Sequence, residues 1–235
     1  MIQAVLFDID NTLYSYDDAH AVAWQALCAY AREQLAMEPE QFRRCHTQAQ
    51  QTVKERLGAE CAALHNRQLR YQVLLEENGK PLHHAIAMSD LYWNTLIAAA
   101  KPSPGIMECL AALKERGLIL GIGTDMTIDY QLKKLMSLRM LPYFDFIVSS
   151  EEVNVEKPHE KLFACCAKKA NVPTENCLFI GDSLKKDVLG ARNAGMQALW
   201  YCPEAAARAE HPDIPAISHY DELRQMLNEQ KGWEP

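Results

Sequence analysis

Several short apolar runs in this chain stop at acids. Ala4–Phe7 is followed by Asp8-Ile-Asp10-Asn-Thr12, a run at 118–123 by Thr124-Asp125, and Cys177–Ile180 by Gly181-Asp182-Ser183, with Asp187 one turn further on. Lys157 stands just before Pro158. Brought together, such groups are complete for phosphoryl transfer. A carboxylate can attack phosphorus in line, a second acid–base group can protonate the departing alcohol, and a cation and a lysine can neutralise the equatorial oxygens. Asp8 and Asp10 straddle a strand end two residues apart, so they can take different roles over the two steps. Crowded carboxylates repel one another unless a divalent cation sits among them. Hard oxygen donors without His or Cys favour Mg²⁺ over Zn²⁺.

These residues meet only if the runs belong to one sheet. From about residue 100 onward the chain alternates strands (118–123, 146–149, 177–180, 196–201) with helices (104–116, 127–138, 158–170, 184–194 and about 219–229). That rhythm implies a parallel sheet covered on both faces. Pro158 is expected to open its helix, Thr127 could cap another, and Ser218-His-Tyr-Asp221 resembles a capping pattern. Residues 14–99 differ in texture, with only two glycines, and read as helices near 17–36, 39–57, 60–78 and 83–99. The expected fold is therefore a doubly wound α/β core, residues 1–13 and 100–235, interrupted by a helical insertion at 14–99. The insertion leaves from the carboxyl end of the first strand, the edge where open α/β sheets bind ligands.

Each signal alone has a plainer reading. Acids are common after strands, Thr124 could cap a helix, Lys157-Pro158 could be a surface helix start, and Gly181-Asp182-Ser183 could be only a turn. Their occurrence together, each at a strand end, is what those readings leave unexplained. Composition narrows the partners. Half the chain is apolar (49%) and 23% is charged, which excludes a disordered or collagen-like chain. Lys and Arg number 24 against 31 Asp and Glu, a net charge of -7, so a nucleic-acid partner is not expected. No run approaches a membrane span, and the acid-terminated start does not read as a signal peptide. The eight cysteines form no CxxC pair and read as buried free thiols in a reducing cytoplasm, without metal or redox work.

The ordered set Asp8-Ile-Asp10-Asn-Thr-Leu13, Thr124, Lys157-Pro158 and Gly181-Asp182-x4-Asp187 resembles the haloacid dehalogenase-like hydrolase superfamily. Tyr143-Phe-Asp-Phe146, Ser150-Glu-Glu152 and Gly190-Ala-Arg-Asn-Ala-Gly195 are similar to one phosphatase subgroup of it, whose helical cap lies between the first and second motifs. The resemblance implies a Rossmann-like core with a cap at 14–99. It implies Asp8 as nucleophile, Asp10 as general acid and base, and Thr124 and Lys157 as phosphate contacts. It also implies Mg²⁺ held by the carboxylates of Asp8 and Asp182 and the backbone carbonyl of Asp10, with Asp187 beside it. An acid at position 10 argues against carbon–halogen chemistry, because the family's dehalogenases lack one there.

Two positions depart from the subgroup. Asp125 stands where Asn is usual, adding a carboxylate beside an anion site, and is expected with Thr124 and Lys157 among the substrate-binding residues. Tyr14-Ser15-Tyr16 replaces a more usual acidic turn, which assigns the segment either to substrate fit or to packing the insertion onto the core. The expected activity is Mg²⁺-dependent hydrolysis of a small phosphorylated metabolite, of the nucleoside monophosphate or sugar phosphate class. The alternatives are a phosphoglucomutase-like transferase, a receiver-type signalling module and a non-catalytic phosphate-ligand-binding protein. The long insertion and the Asp-x-Asp spacing argue against the receiver. The sequence does not choose between monomer and homodimer.

Overall fold

Ala4–Phe7 forms β1, buried from end to end. Its side chains part to two faces, Val5 and Phe7 into one apolar cluster and Ala4 and Leu6 into the other. A strand with two buried faces needs neighbours on both sides, and it has them. The computed structural model describes residues 1–58 and 61–228. Among these, six parallel strands form one sheet in the order β3-β2-β1-β4-β5-β6. The strands are β2 (Ile119–Thr124), β3 (Phe146–Ser149), β4 (Cys177–Gly181), β5 (Gln197–Tyr201) and the two-residue β6 (Ala216–Ile217). Strand order reverses at β1, so a crevice opens at its carboxyl end between β1 and β4. Register sets the site: Phe7 lies level with Ile122 and Ile180, so Asp8, Thr124 and Asp182 emerge together at that edge.

Four helices follow β1: α1 (Tyr16–Leu35), α2 (Pro39–Leu57), α3 (Arg67–Glu77) and α4 (His84–Ala99). Ser15 Oγ caps α1 by accepting from Asp18 N at 3.3 Å. The buried stripe Ala19, Ala23, Leu27, Ala31 and Leu35 repeats every fourth residue and packs on α4. The predicted helix at 60–78 starts later than expected: 62–65 is a tight 3₁₀ turn, and Asn66 Oδ1 caps α3 through Leu69 N at 3.1 Å. The start at Glu60 lies outside the described residues. The chain returns beside its exit, where Ser103 N donates to Leu13 O at 2.8 Å and Ser103 Oγ to Thr12 O at 2.9 Å.

The sheet is then flanked by α5 (Ile106–Glu115), α6 (Ile128–Ser137), α7 (Ser150–Val153), α8 (Glu160–Ala170), α9 (Gly190–Asn193), α10 (Ala205–Glu210) and α11 (Tyr220–Asn228). The predicted end at 229 lies outside the described residues. Three expectations about these helices are corrected. Pro158 does not open α8: its peptide bond with Lys157 is cis, and the helix begins at Glu160 behind His159, whose Nδ1 accepts from Lys161 N. Thr127 makes no capping bond; Ile128 N donates instead to Glu151 Oε2 at 2.9 Å. The helix expected at 184–194 is split into a wide π-helical turn, Leu184–Leu189, and α9. All eight cysteines are free, with Cys109, Cys166, Cys177 and Cys202 buried and the other four half-buried. Among the described residues no helix is long and apolar enough to cross a membrane.

Candidate active site

The crevice at the carboxyl end of β1 opens into a cavity of about 320 Å³ lined by Asp8, Asp10, Thr124, Asp125, Lys157, Asp182 and Asp187. All seven residues singled out from the sequence therefore share one wall. They fall into two groups.

The first group centres on Lys157. Its Nζ lies 2.6 Å from Asp8 Oδ1 and 2.7 Å from Asp187 Oδ1, and all three residues are buried. Burial alone would lower the lysine pKa, but Asp187 and Asp8 outweigh it and hold the ammonium well above its ordinary range. Carboxylate oxygens of Asp8, Asp182 and Asp187 lie within 4.8 Å of one another. The wide turn after β4 makes this possible, because it carries Asp187 back beneath Gly181, where Asp187 Oδ2 accepts from Ser183 N at 2.9 Å. A Cβ on residue 181 would come within 2.4 Å of the Asp187 carboxylate, so only glycine fits there. One lysine does not balance three acids. Burial, only partly offset by Lys157, pushes Asp8 well above its ordinary pKa, and burial with Asp187 pushes Asp182 up to about 6. An oxygen-only cluster short of positive charge fits a hard divalent cation.

The second group surrounds Asp10, whose side chain points away from that cluster. Lys134 Nζ lies 2.7 Å from Asp10 Oδ1 and 2.9 Å from Oδ2, the Tyr14 hydroxyl donates to Oδ1, and Gln131 Nε2 lies 3.4 Å from Oδ2. Burial works to raise the Asp10 pKa, but Lys134 and these hydrogen bonds bring it below the usual carboxylate range. Gln131 also donates to Thr124 Oγ1 at 2.7 Å, linking the two halves of the site. Lys134 is fully buried, among the rings of Tyr14, Tyr16 and Trp93.

Both departures acquire physical roles. Asp125 Oδ1 accepts from Lys157 N at 2.9 Å, and its Oδ2 pairs with Lys186 Nζ at 2.8 Å. The extra carboxylate thus carries its own counter-charge. Tyr14 is fully buried and its hydroxyl serves Asp10, whereas Tyr16 lines the cavity. Sequence reading missed Gln131, Lys134 and Lys186, together with the cavity's Arg67 and Arg70. The signal for the first two was available: Gln131, Lys134 and Leu135 share the buried face of α6 at helical spacing.

Two expected outcomes follow from these charges. Lys157→Met leaves buried carboxylates without their lysine, and a loss of about 3–5 kcal/mol is expected, the scale for breaking a buried pair. Urea titration in chelator measures it; an unchanged midpoint would mean Lys157 carries none of that balance. Asp182 has a folded pKa near 6 against an ordinary 3.8, so the fold favours its protonated form. Stability contributed by that proton is present at pH 4 and is lost as pH rises through about 6. Metal-free Asp182→Asn should therefore melt above wild type at pH 7.5, with the gap closing toward pH 4. A gap that ignores pH would sink this account.

A doubly wound core with this carboxylate edge and a helical insertion defines a class of α/β hydrolase. The haloacid dehalogenase-like hydrolase model matches residues 2–195, and the chain belongs to that family. The chain is 31% identical over 212 residues to ribulose-1,5-bisphosphate 5-phosphatase of Halopiger xanaduensis, covering 89% of this chain and 88% of that one. It is 35% identical over 202 residues to glyceraldehyde 3-phosphate phosphatase of Methanopyrus kandleri, covering 83% and 82%. The solved 2-haloacid dehalogenase from Pseudomonas syringae pv. Tomato DC3000 shares the fold, with a TM-score of 0.77, 24% identity, and coverage of 98% and 100%. The chain is a hydrolase of the phosphatase type that its relatives share.

Proposed function

We propose that this protein hydrolyses a small soluble phosphomonoester with Mg²⁺, through a phosphoryl group carried on Asp8. The observation that carries this reading is Lys157 set between Asp8 and Asp187, with Asp182 closing a three-carboxylate cluster. Asp8 attacks phosphorus, the P–O bond to the alcohol breaks, and Asp10 supplies the proton that the alcohol takes away. Asp10 then accepts a proton from water as that water attacks phosphorus, releasing inorganic phosphate and restoring Asp8. Thr124, fixed by Gln131, and Lys157 bind the phosphate oxygens. Asp125 orients that region through the backbone of Lys157. The carboxylates of Asp8 and Asp182 and the carbonyl of Asp10 would hold Mg²⁺, with Asp187 beside them. Bound there, the cation offsets phosphate charge.

Residues 14–99 act in this reading as a cap on a core formed by 1–13 and 100–235. Among the ties that join them, His65 Nε2 lies 2.9 Å from Glu156 Oε1, and Trp93 stacks on Tyr130 with ring centroids 4.2 Å apart. A closed cap excludes bulk water and so suits a substrate small enough to be enclosed. Relatives named for phosphorylated sugars and trioses support that class. The test is phosphate release from a panel of small monoesters and an aryl phosphate, with Mg²⁺ or with chelator. Metal-dependent release is expected; no release from any compound with Mg²⁺ present would overturn the reading.

A further inference from the structure

Adjoining the catalytic cavity, the helical segment forms a second chamber of about 500 Å³, open to solvent where exposed Arg43, Thr47 and Gln50 line it. Tyr16, His65, Arg67 and Arg70 line both, so the two are adjoining spaces with common walls. The chamber's own chemistry is one-signed. Arg43, Arg67 and Arg70 line it, no Asp or Glu does, and among the described residues none of the three arginines is paired with a carboxylate. Arg67 is only 8% exposed. It is held by neutral groups, donating to the Tyr16 hydroxyl at 2.8 Å and the Tyr92 hydroxyl at 2.7 Å, with its guanidinium 3.7 Å from the Tyr92 ring centroid. That cradle fixes the guanidinium without spending its charge, and a buried charge with no counter-ion is costly unless an anion completes it.

Two polar atoms in the walls of this space have no partner. His46, 8% exposed, lines the chamber with Nε2 buried and unpartnered, and Arg70 Nε is likewise buried without a partner. Burial, together with Arg70 and Arg67, lowers the His46 pKa to about 3, as a positive surrounding demands. His46 thus adds no charge of its own to the wall.

We propose that this chamber is a subsite for a second anionic group on the substrate, so that the enzyme selects small phosphomonoesters that also bear a phosphate or a carboxylate. This rests on the phosphatase reading and narrows its substrate class. A nucleoside monophosphate, whose only anion is the scissile phosphate, leaves the arginines unanswered and is disfavoured.

The test compares kcat/KM within matched pairs: ribulose 1,5-bisphosphate against ribulose 5-phosphate, and 3-phosphoglycerate against glyceraldehyde 3-phosphate, with para-nitrophenyl phosphate as reference. A preference of about 10- to 100-fold is expected for the member with the second anion, the scale of one charge-assisted hydrogen bond. Preference in the first pair identifies a second phosphate, and preference in the second pair alone a carboxylate. Arg43 is exposed on α2, so Arg43→Gln leaves the fold intact. Arg43→Gln and Arg70→Gln should each raise KM for the preferred member and cut its advantage over the aryl phosphate by a similar factor, with Arg43→Lys recovering part. Equal rates within both pairs, or variants that slow every substrate alike, would overturn the subsite while leaving the phosphatase intact. If wild type fails on the aryl phosphate and on every pair, the phosphatase reading falls instead. Calorimetric binding of ribulose 1,5-bisphosphate to wild type and Arg43→Gln then decides the subsite alone: weaker binding to the variant supports it, and equal or absent binding overturns it.

Discussion

Asp8→Asn abolishes turnover, by on the order of 10⁶ in kcat, the scale reached when a covalent nucleophile is deleted. The amide keeps the shape of the carboxylate but cannot attack phosphorus. The fold should survive, because Lys157 retains Asp187 at 2.7 Å. Burial already penalises the charge on Asp8, so a neutral replacement relieves the metal-free protein rather than straining it. Two measurements check this: phosphate release, and intact mass after acid quench during turnover. A phosphoryl adduct should appear in wild type and not in Asp8→Asn. Near-wild-type hydrolysis by the variant would remove Asp8 as nucleophile.

Asp10→Asn should cost roughly 10²–10⁴ in rate, the range for a lost acid–base group. Its signature differs from that of Asp8→Asn in two ways. The penalty should be smallest for an aryl phosphate, whose leaving group departs without help, and largest for an alkyl phosphate. Stability should also fall, because fully buried Lys134 loses its carboxylate partner. Equal slowing of aryl and alkyl esters would make Asp10 a positioning residue instead. Lys134 and the Tyr14 hydroxyl hold Asp10 ionised, so it enters the cycle as the base form. Acid function then requires a proton gained as the phosphate dianion arrives, since a nearby negative charge raises a carboxyl pKa.

The strands that carry the site could be read from the chain because parallel strands buried on both faces leave short apolar runs with abrupt ends. That same abruptness located Asp8, Thr124 and Asp182. The groups that steer these acids were harder to see. Lys133-Lys134 looks like a solvated pair, yet Lys133 bonds Asp129 at the surface while Lys134 reaches Asp10, a partner 124 positions away. Composition cannot separate two adjacent lysines; only the buried face of α6 can. Lys186 was obscured because its turn is wider than an α-helix, which redirects every side chain from 184 to 189. The insertion was legible as helices, since it is poor in glycine and rich in Ala, Gln, Glu, Arg and Leu. Its basic pocket was not, because Arg43, His46, Arg67 and Arg70 converge from α2 and α3 across a turn with no fixed period.

The stack of Trp93 on Tyr130 ties α4 to α6, and Trp93 also faces the ammonium of Lys134. Separating the two helices would therefore uncover an indole and remove an aromatic face from beside the lysine that pairs with Asp10. The indole of Trp93 thus reports on two neighbours at once, the ring of Tyr130 and the charge that holds Asp10.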